Sequence, residues 1–163
     1  MNCLVIIDVQ NGLLVNDRIK KLPHKIVELV EHNKFDFVVT TQFKNRLGSH
    51  FDKLMGWYGM GDTESQEIDS DIAEISSRNF IKYGYSCFTD EFEEFIRDND
   101  IDKLYFVGLD IDACVLKSAL DSFERCIDSE VLVNYCDTSS GDKSSAINVL
   151  KFALGENSIN EML

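Results

Sequence analysis

Two hydrophobic periods take turns along this chain. Residues 3–7 and 104–107 are apolar without a break, the pattern of strands buried on both faces. Residues 35–41, 79–83 and 131–135 are rich in Phe, Val, Ile, Thr and Tyr and predict three further strands. Between the runs the apolar residues recur every three or four positions. Leu22, Ile26, Leu29 and Val30 predict one helix, with Pro23 in its first turn. Phe92, Phe95 and Ile96 predict a second, capped by Thr89 with Asp90 and Glu91 in its first turn. Leu116, Ala119, Leu120, Phe123 and Ile127 predict a third with Asp112 at its N-cap, and Ala146, Ile147, Val149, Leu150 and Ala153 predict a fourth after 140–142. Strands alternating with helices through short links define an α/β protein, a three-layer α/β/α sandwich around a mainly parallel, Rossmann-like sheet. Residues 42–66 break the alternation. They hold four of the nine glycines and the only Trp, with no sustained period, so they predict a substrate-shaping loop over the sheet's end. Neither repeats nor a linker interrupt residues 1–163, which form one domain. The tail, 156–163, carries no readable pattern.

A parallel sheet gathers the carboxyl ends of its strands on one edge, where open α/β folds bind ligands. That edge collects Asp8, Thr41, Lys82, Asp110, Asp112, Cys114 and Asp137. Three of them make a chemically complete set: Cys114 as nucleophile, Asp8 as the carrier of its proton, and Lys82 as a cation that holds the charged forms. Cys114 falls in the expected first helical turn, where the dipole and unpaired N–H groups favour thiolate. Backbone N–H groups of Ile111 and Cys114 are the expected oxyanion donors. Phe43, Phe51, Trp57, Tyr83 and Tyr85 are expected to wall the pocket, and Gln10 to orient the substrate. Two other readings fit the residues. The run ending in Asp110-x-Asp112 also suits a metal-dependent phosphatase, although only 51 residues remain after Asp112 for its other parts. A binding domain without catalysis is the third.

Composition narrows the field. Sixteen basic against 29 acidic residues leave a net charge of −13, which disfavours nucleic acid and anionic membrane as partners and leaves a small molecule. No apolar run approaches the ~20 residues of a membrane span. Five cysteines without a Cys-x-x-Cys pair predict free thiols and a cytoplasmic location. No cofactor motif is present, and none is expected.

Three segments resemble the isochorismatase-like cysteine hydrolase superfamily, which includes nicotinamidases and N-carbamoylsarcosine amidase relatives. Leu4-Val5-Ile6-Ile7-Asp8-Val9-Gln10-Asn11 is similar to the family's opening strand with its catalytic Asp. Lys82-Tyr83-Gly84-Tyr85-Ser86-Cys87-Phe88 is similar to the segment with its catalytic Lys. Gly108-Leu109-Asp110-Ile111-Asp112-Ala113-Cys114-Val115 is similar to the nucleophile turn. The resemblance implies an Asp8–Lys82–Cys114 triad, hydrolysis of a small amide or related C–N bond through a thioester, and a non-proline cis peptide just before Ile111. It also implies self-association as a homodimer or higher homo-oligomer. The chain departs from the nicotinamidase pattern after the second strand. Phe43 and Asn45 stand where an Asp-x-His pair would bind a divalent metal, and His50 is left alone on its loop. No metal site is expected.

Overall fold

A computed structural model describes residues 1–161. The apolar runs become the strands of one six-stranded sheet: β1 (Asn2–Ile7), β2 (Phe37–Phe43), β3 (Arg78–Lys82), β4 (Lys103–Gly108), β5 (Asp128–Cys136) and β6 (Ile159–Asn160). Every pairing is parallel, in the order β3-β2-β1-β4-β5-β6. The order reverses between β1 and β4, so the crevice beyond those two strands is the fold's natural ligand site.

Alternation along each strand divides the core. Cys3, Val5 and Ile7 of β1 point to one face, with Phe80 and Phe106, while Leu4 and Ile6 point to the other, with Val107 and Leu132. The first face is covered by α5 (Asp90–Asp98), α6 (Leu116–Glu124) and α7 (Lys143–Leu154). The second is covered by α1 (Leu22–His32) and α4 (Ser70–Ile75). This is the expected three-layer α/β/α sandwich. Pro23 lies in the first turn of α1, and the Thr89 hydroxyl accepts the Phe92 N–H at 3.3 Å, as their positions predict. Among the described residues no helix is long and apolar enough to cross a membrane.

Three local expectations change. The segment after β2 is not wholly irregular: α2 (His50–Met55) and α3 (Thr63–Gln66) lie in it. Both are too short to display an apolar stripe, and their signals are at the ends, Ser49 and Gly56 around α2 and Asp62 before α3. A two-residue strand, β6, also forms in the unread tail. The largest change follows β4. Asp112 does not cap a helix there. Residues Ile111–Val115 form a wide turn closed by a bond from the Val115 N–H to the Asp110 carbonyl, 3.1 Å, and α6 starts only at Leu116. Along α6 it is Ser118, Ala119 and Ser122 that meet the core, while Phe123 is 60% exposed. The two serines pack because they are satisfied: Ser118 Oγ accepts the Cys87 N–H, and Ser122 Oγ donates to the Ile127 carbonyl.

Candidate active site

Asp8 follows the last residue of β1 and takes φ 50°, a left-handed conformation that Asp tolerates better than most residues. Its side chain is fully buried and held from β2. The Thr41 hydroxyl donates to Oδ1 at 2.7 Å and accepts the Asp8 N–H at 3.2 Å. Lys82 ends β3 and is 1% exposed. Its ammonium donates to the carbonyls of Gly84 at 2.9 Å and Tyr85 at 3.1 Å, so the turn after β3 wraps round its own lysine. From there Nζ reaches Asp8 Oδ2 at 2.6 Å and Cys114 Sγ at 3.3 Å. Asp8 Oδ2 is the one buried side-chain oxygen among the described residues that lacks a well-aligned hydrogen bond, its ion contact with Lys82 apart. The fold brings these three side chains together from the ends of β1, β3 and β4.

Burial has opposite consequences for the two ends of this cluster. For Cys114 desolvation is the largest effect and raises the thiol well above its ordinary value. The Asp8 charge raises it further, against the opposing pull of Lys82. Burial therefore pushes Cys114 toward the thiol form, against the thiolate expected from a helix dipole, and the wide turn replaces the α-helical first turn on which that expectation rested. For Lys82 desolvation alone would lower the pKa, but attraction to Asp8 and Cys114 more than offsets it and the net shift is upward. Lys82 is thus held toward its charged form, 2.6 Å from Asp8, beside a thiol pushed toward its protonated form. The other cysteines are free. Cys3, Cys87 and Cys136 are buried, and burial raises all three, Cys87 and Cys136 to about 12. Cys126 is exposed. Ellman's reagent at about pH 8 should therefore titrate Cys126 rapidly in the native protein and reach Cys3, Cys87 and Cys136 only in denaturant. Rapid native loss of more than one thiol beyond Cys114 would contradict this burial pattern.

Cys114 and Asp8 open onto a cavity of about 670 Å³. One wall is aromatic. Phe43 stacks on Trp57 at a centroid distance of 6.0 Å, and Phe51 meets Phe43, Trp57 and Tyr85 edge-on at 5.0, 5.8 and 5.1 Å. Of the expected pocket residues, Phe43, Phe51, Trp57 and Tyr85 line this cavity, and Tyr83 does not; its ring stacks under Arg46. Gln10 is also displaced from its expected role. It is fully buried, with Oε1 accepting the Phe43 N–H at 2.9 Å and Nε2 donating to the carbonyls of Phe43 and Gln66. Both ends of its amide are spent on the backbone of Phe43 and Gln66, so it does not orient a substrate.

A further part of the lining went unrecognised in the sequence beyond its two aspartates. Ser139 and Ser140, from the loop after β5, form it with Asp110 and Asp112. Ser139 donates its N–H and hydroxyl to Asp110, at 2.9 and 2.6 Å. Thr138 donates to Asp112 at 2.7 Å, and Ser140 donates to its other oxygen. The strand-end rule that selected Asp137 would have reached these residues had it been followed three positions further. Leu13, Val15 and Met55 also line the cavity, from segments with no periodic signal.

The oxyanion expectation needs correction. The Ile111 N–H donates to the Asp137 carbonyl at 2.9 Å and is not free to bind a ligand. The amides of Leu109, Ala113 and Val115 also donate to backbone carbonyls, those of Ile7 and Asp110. The non-proline cis peptide is present, but it joins Leu109 to Asp110, one bond earlier than expected. Nor do the residues after β2 suit a metal. Phe43 offers a ring in the aromatic stack, and the Asn45 amide donates to Asp52 and to the carbonyls of Trp57 and Gly59. Among the described residues no three His, Cys, Asp or Glu side chains converge as a metal site.

A buried Asp and Lys meet a cysteine at the carboxyl edge of a parallel α/β sheet, next to its strand-order reversal. The isochorismatase domain family matches residues 2–155, and the chain belongs to that family. Among solved structures it is similar to a pyrazinamidase/nicotinamidase from Streptococcus mutans, at 18% identity and a TM-score of 0.81, covering 98% of this chain and 99% of that one. It is similar to N-carbamoylsarcosine amidase from Thermoplasma acidophilum, at 19% identity and 0.79, covering 98% and 95%. An isochorismatase-like hydrolase from Alkaliphilus metalliredigens gives 15% and 0.79, covering 93% and 91%. A search of curated proteins finds no match to the chain.

Proposed function

We propose that the protein is a cysteine hydrolase that cleaves a small amide or related C–N bond through a thioester. The observation that carries this reading is the contact of one ammonium with both a carboxylate, 2.6 Å, and a thiol, 3.3 Å, at the floor of an open cavity. Asp8 Oδ2, 2.6 Å from the Lys82 ammonium, takes the proton from Sγ as sulfur attacks the carbonyl carbon. Because the thiol is held protonated, transfer and attack proceed together. The Cys114 N–H and, in place of Ile111, the Asp110 N–H bind the oxyanion. Asp8 returns the proton to the departing amine. It then takes one from water, which opens the thioester to carboxylic acid and free thiol. Lys82 stays charged throughout and is the counter-charge beside Asp8 in both half-reactions. No step is routed through a metal, since the residues after β2 do not fit one. Amide hydrolysis also matches what the names of the nicotinamidase and N-carbamoylsarcosine amidase neighbours state of those proteins.

The test is ammonia release from a panel of small amide, carbamoyl and ureido compounds. Release by the wild type, unaffected by excess chelator and reduced at least about a thousandfold in Cys114→Ala, is the expected result. Equal release by both proteins removes Cys114 as nucleophile. Loss with chelator reopens metal chemistry.

A further inference from the structure

The charge on the cavity wall bears on which amide it takes, an inference that rests on the proposed hydrolysis. The lining holds three carboxylates, of Asp8, Asp110 and Asp112, and among the described residues no lysine or arginine. Two cations beside this lining are committed elsewhere. Lys82 is enclosed by Asp8, Cys114 and two carbonyls beneath the floor, and Arg18 pairs with Asp137 and donates to the Thr138 carbonyl. Asp110 and Asp112 are held in place yet keep capacity to accept. Each of their four oxygens takes one bond from Ser139, Thr138 or Ser140, and a carboxylate oxygen has room for about two. A second, independent feature shares the space: the rings of Phe43, Phe51 and Trp57 line the same cavity and pack on one another.

We propose that the pocket is specific for amides that pair a flat apolar ring with a positively charged group, the ring lying along Phe43, Phe51 and Trp57 and the cation facing Asp110 and Asp112. The aromatic wall supplies affinity without discriminating by charge. The acidic wall supplies the discrimination, because an ammonium there gains charge-assisted hydrogen bonds while a carboxylate meets like charges and finds no donor cation. The net charge of −13 works in the same direction by drawing cations toward the surface and repelling anions. At about 670 Å³ the cavity has room for a substituent beyond a bare ring.

A matched trio tests this without requiring turnover: benzamide, 4-(aminomethyl)benzamide and 4-carboxybenzamide. Trp57 is the only tryptophan and lines the cavity, so its fluorescence reports binding directly. In Cys114→Ala, the aminomethyl compound should bind about tenfold or more tighter than benzamide, and the carboxy compound more weakly than either. In Asp112→Asn/Cys114→Ala the preference for the aminomethyl compound should shrink severalfold, while 0.5 M salt should weaken binding of the aminomethyl compound, leave benzamide unchanged and relieve the repulsion of the carboxy compound. Equal binding of the three, or tighter binding of the carboxy compound, overturns the proposal whatever the enzyme turns over. Ammonia release from the same trio by the wild type tests the hydrolase reading separately: binding in the expected order without release keeps the charge preference and sinks the hydrolysis.

Discussion

Replacing Lys82 with Met should lower the midpoint of thermal unfolding by about 10 °C and activity by at least about a hundredfold. The ammonium and the Asp8 carboxylate are both buried, 1% and 0% exposed, and are each other's counter-charge. Removing one partner strands the other, which costs about 3–5 kcal/mol. The methylene stem is retained in Met, so little packing is lost. Asp8→Leu combined with Lys82→Met should recover most of the stability, because two apolar groups in place of a buried pair are often neutral or better. The double variant should still be inactive. Stability that returns while activity does not is the signature of a pair kept for chemistry; a double variant as unstable as the single would mean the pair is structural.

The same pair sets a pH dependence. Lys82 has a folded-state pKa above its ordinary value of 10.5, once the attraction to Asp8 and Cys114 has overcome the larger desolvation effect. Its contribution to stability is therefore fully present below 10.5 and is lost as pH rises through the higher folded value. Loss of the Lys82 charge cannot be the source of any decline in kcat/KM at lower pH. A step near pH 9 that disappears in Lys82→Met would contradict this account.

What the sequence discloses about this molecule follows from how local each signal is. The strand carrying Cys3 to Ile7 and the Thr89-capped helix announce themselves because burial pattern and cap lie within a few residues. Strand ends then point to Asp8, Lys82 and Cys114, since a parallel sheet leaves its carboxyl edge no other place to be. The roles of Gln10 and Ile111 were not legible for the opposite reason. Whether Gln10 faces a substrate or the backbone of Phe43 depends on a contact 33 residues away, and the Ile111 N–H is spent on Asp137 from a different strand. Phe123 misleads in another manner. Ser118 and Ser122 read as polar until the donor and acceptor that satisfy them, Cys87 and Ile127, are in place. The thiol's protonation state is the least local property of all, because it is set by desolvation and by a carboxylate from another strand.

Gly108→Ala should be the most damaging single substitution in the chain, with a loss of more than about 4 kcal/mol or failure to accumulate folded protein. Gly108 ends β4 at φ 110°, a conformation that side chains rarely adopt. A Cβ there would stand 2.2 Å from the Ile7 carbonyl oxygen and 2.8 Å from its nitrogen. Neither strand can yield. β1 is paired on both sides, to β2 and β4, and the Ile7 carbonyl already accepts the Leu109 N–H at 2.8 Å. On its other side, the Gly108 carbonyl accepts the Asp137 N–H at 3.1 Å, where the β4–β5 register shifts. The close approach brings the Asp8 and Cys114 segments within reach of each other, so the glycine belongs to the site as much as to the sheet. Gly84→Ala is the control: a Cβ there meets nothing within 4 Å, and its stability should stay within about 0.5 kcal/mol of wild type. Expression yield and calorimetry on the two variants decide the matter, and a Gly108→Ala protein that unfolds at the wild-type temperature would refute the close packing of β1 on the nucleophile turn.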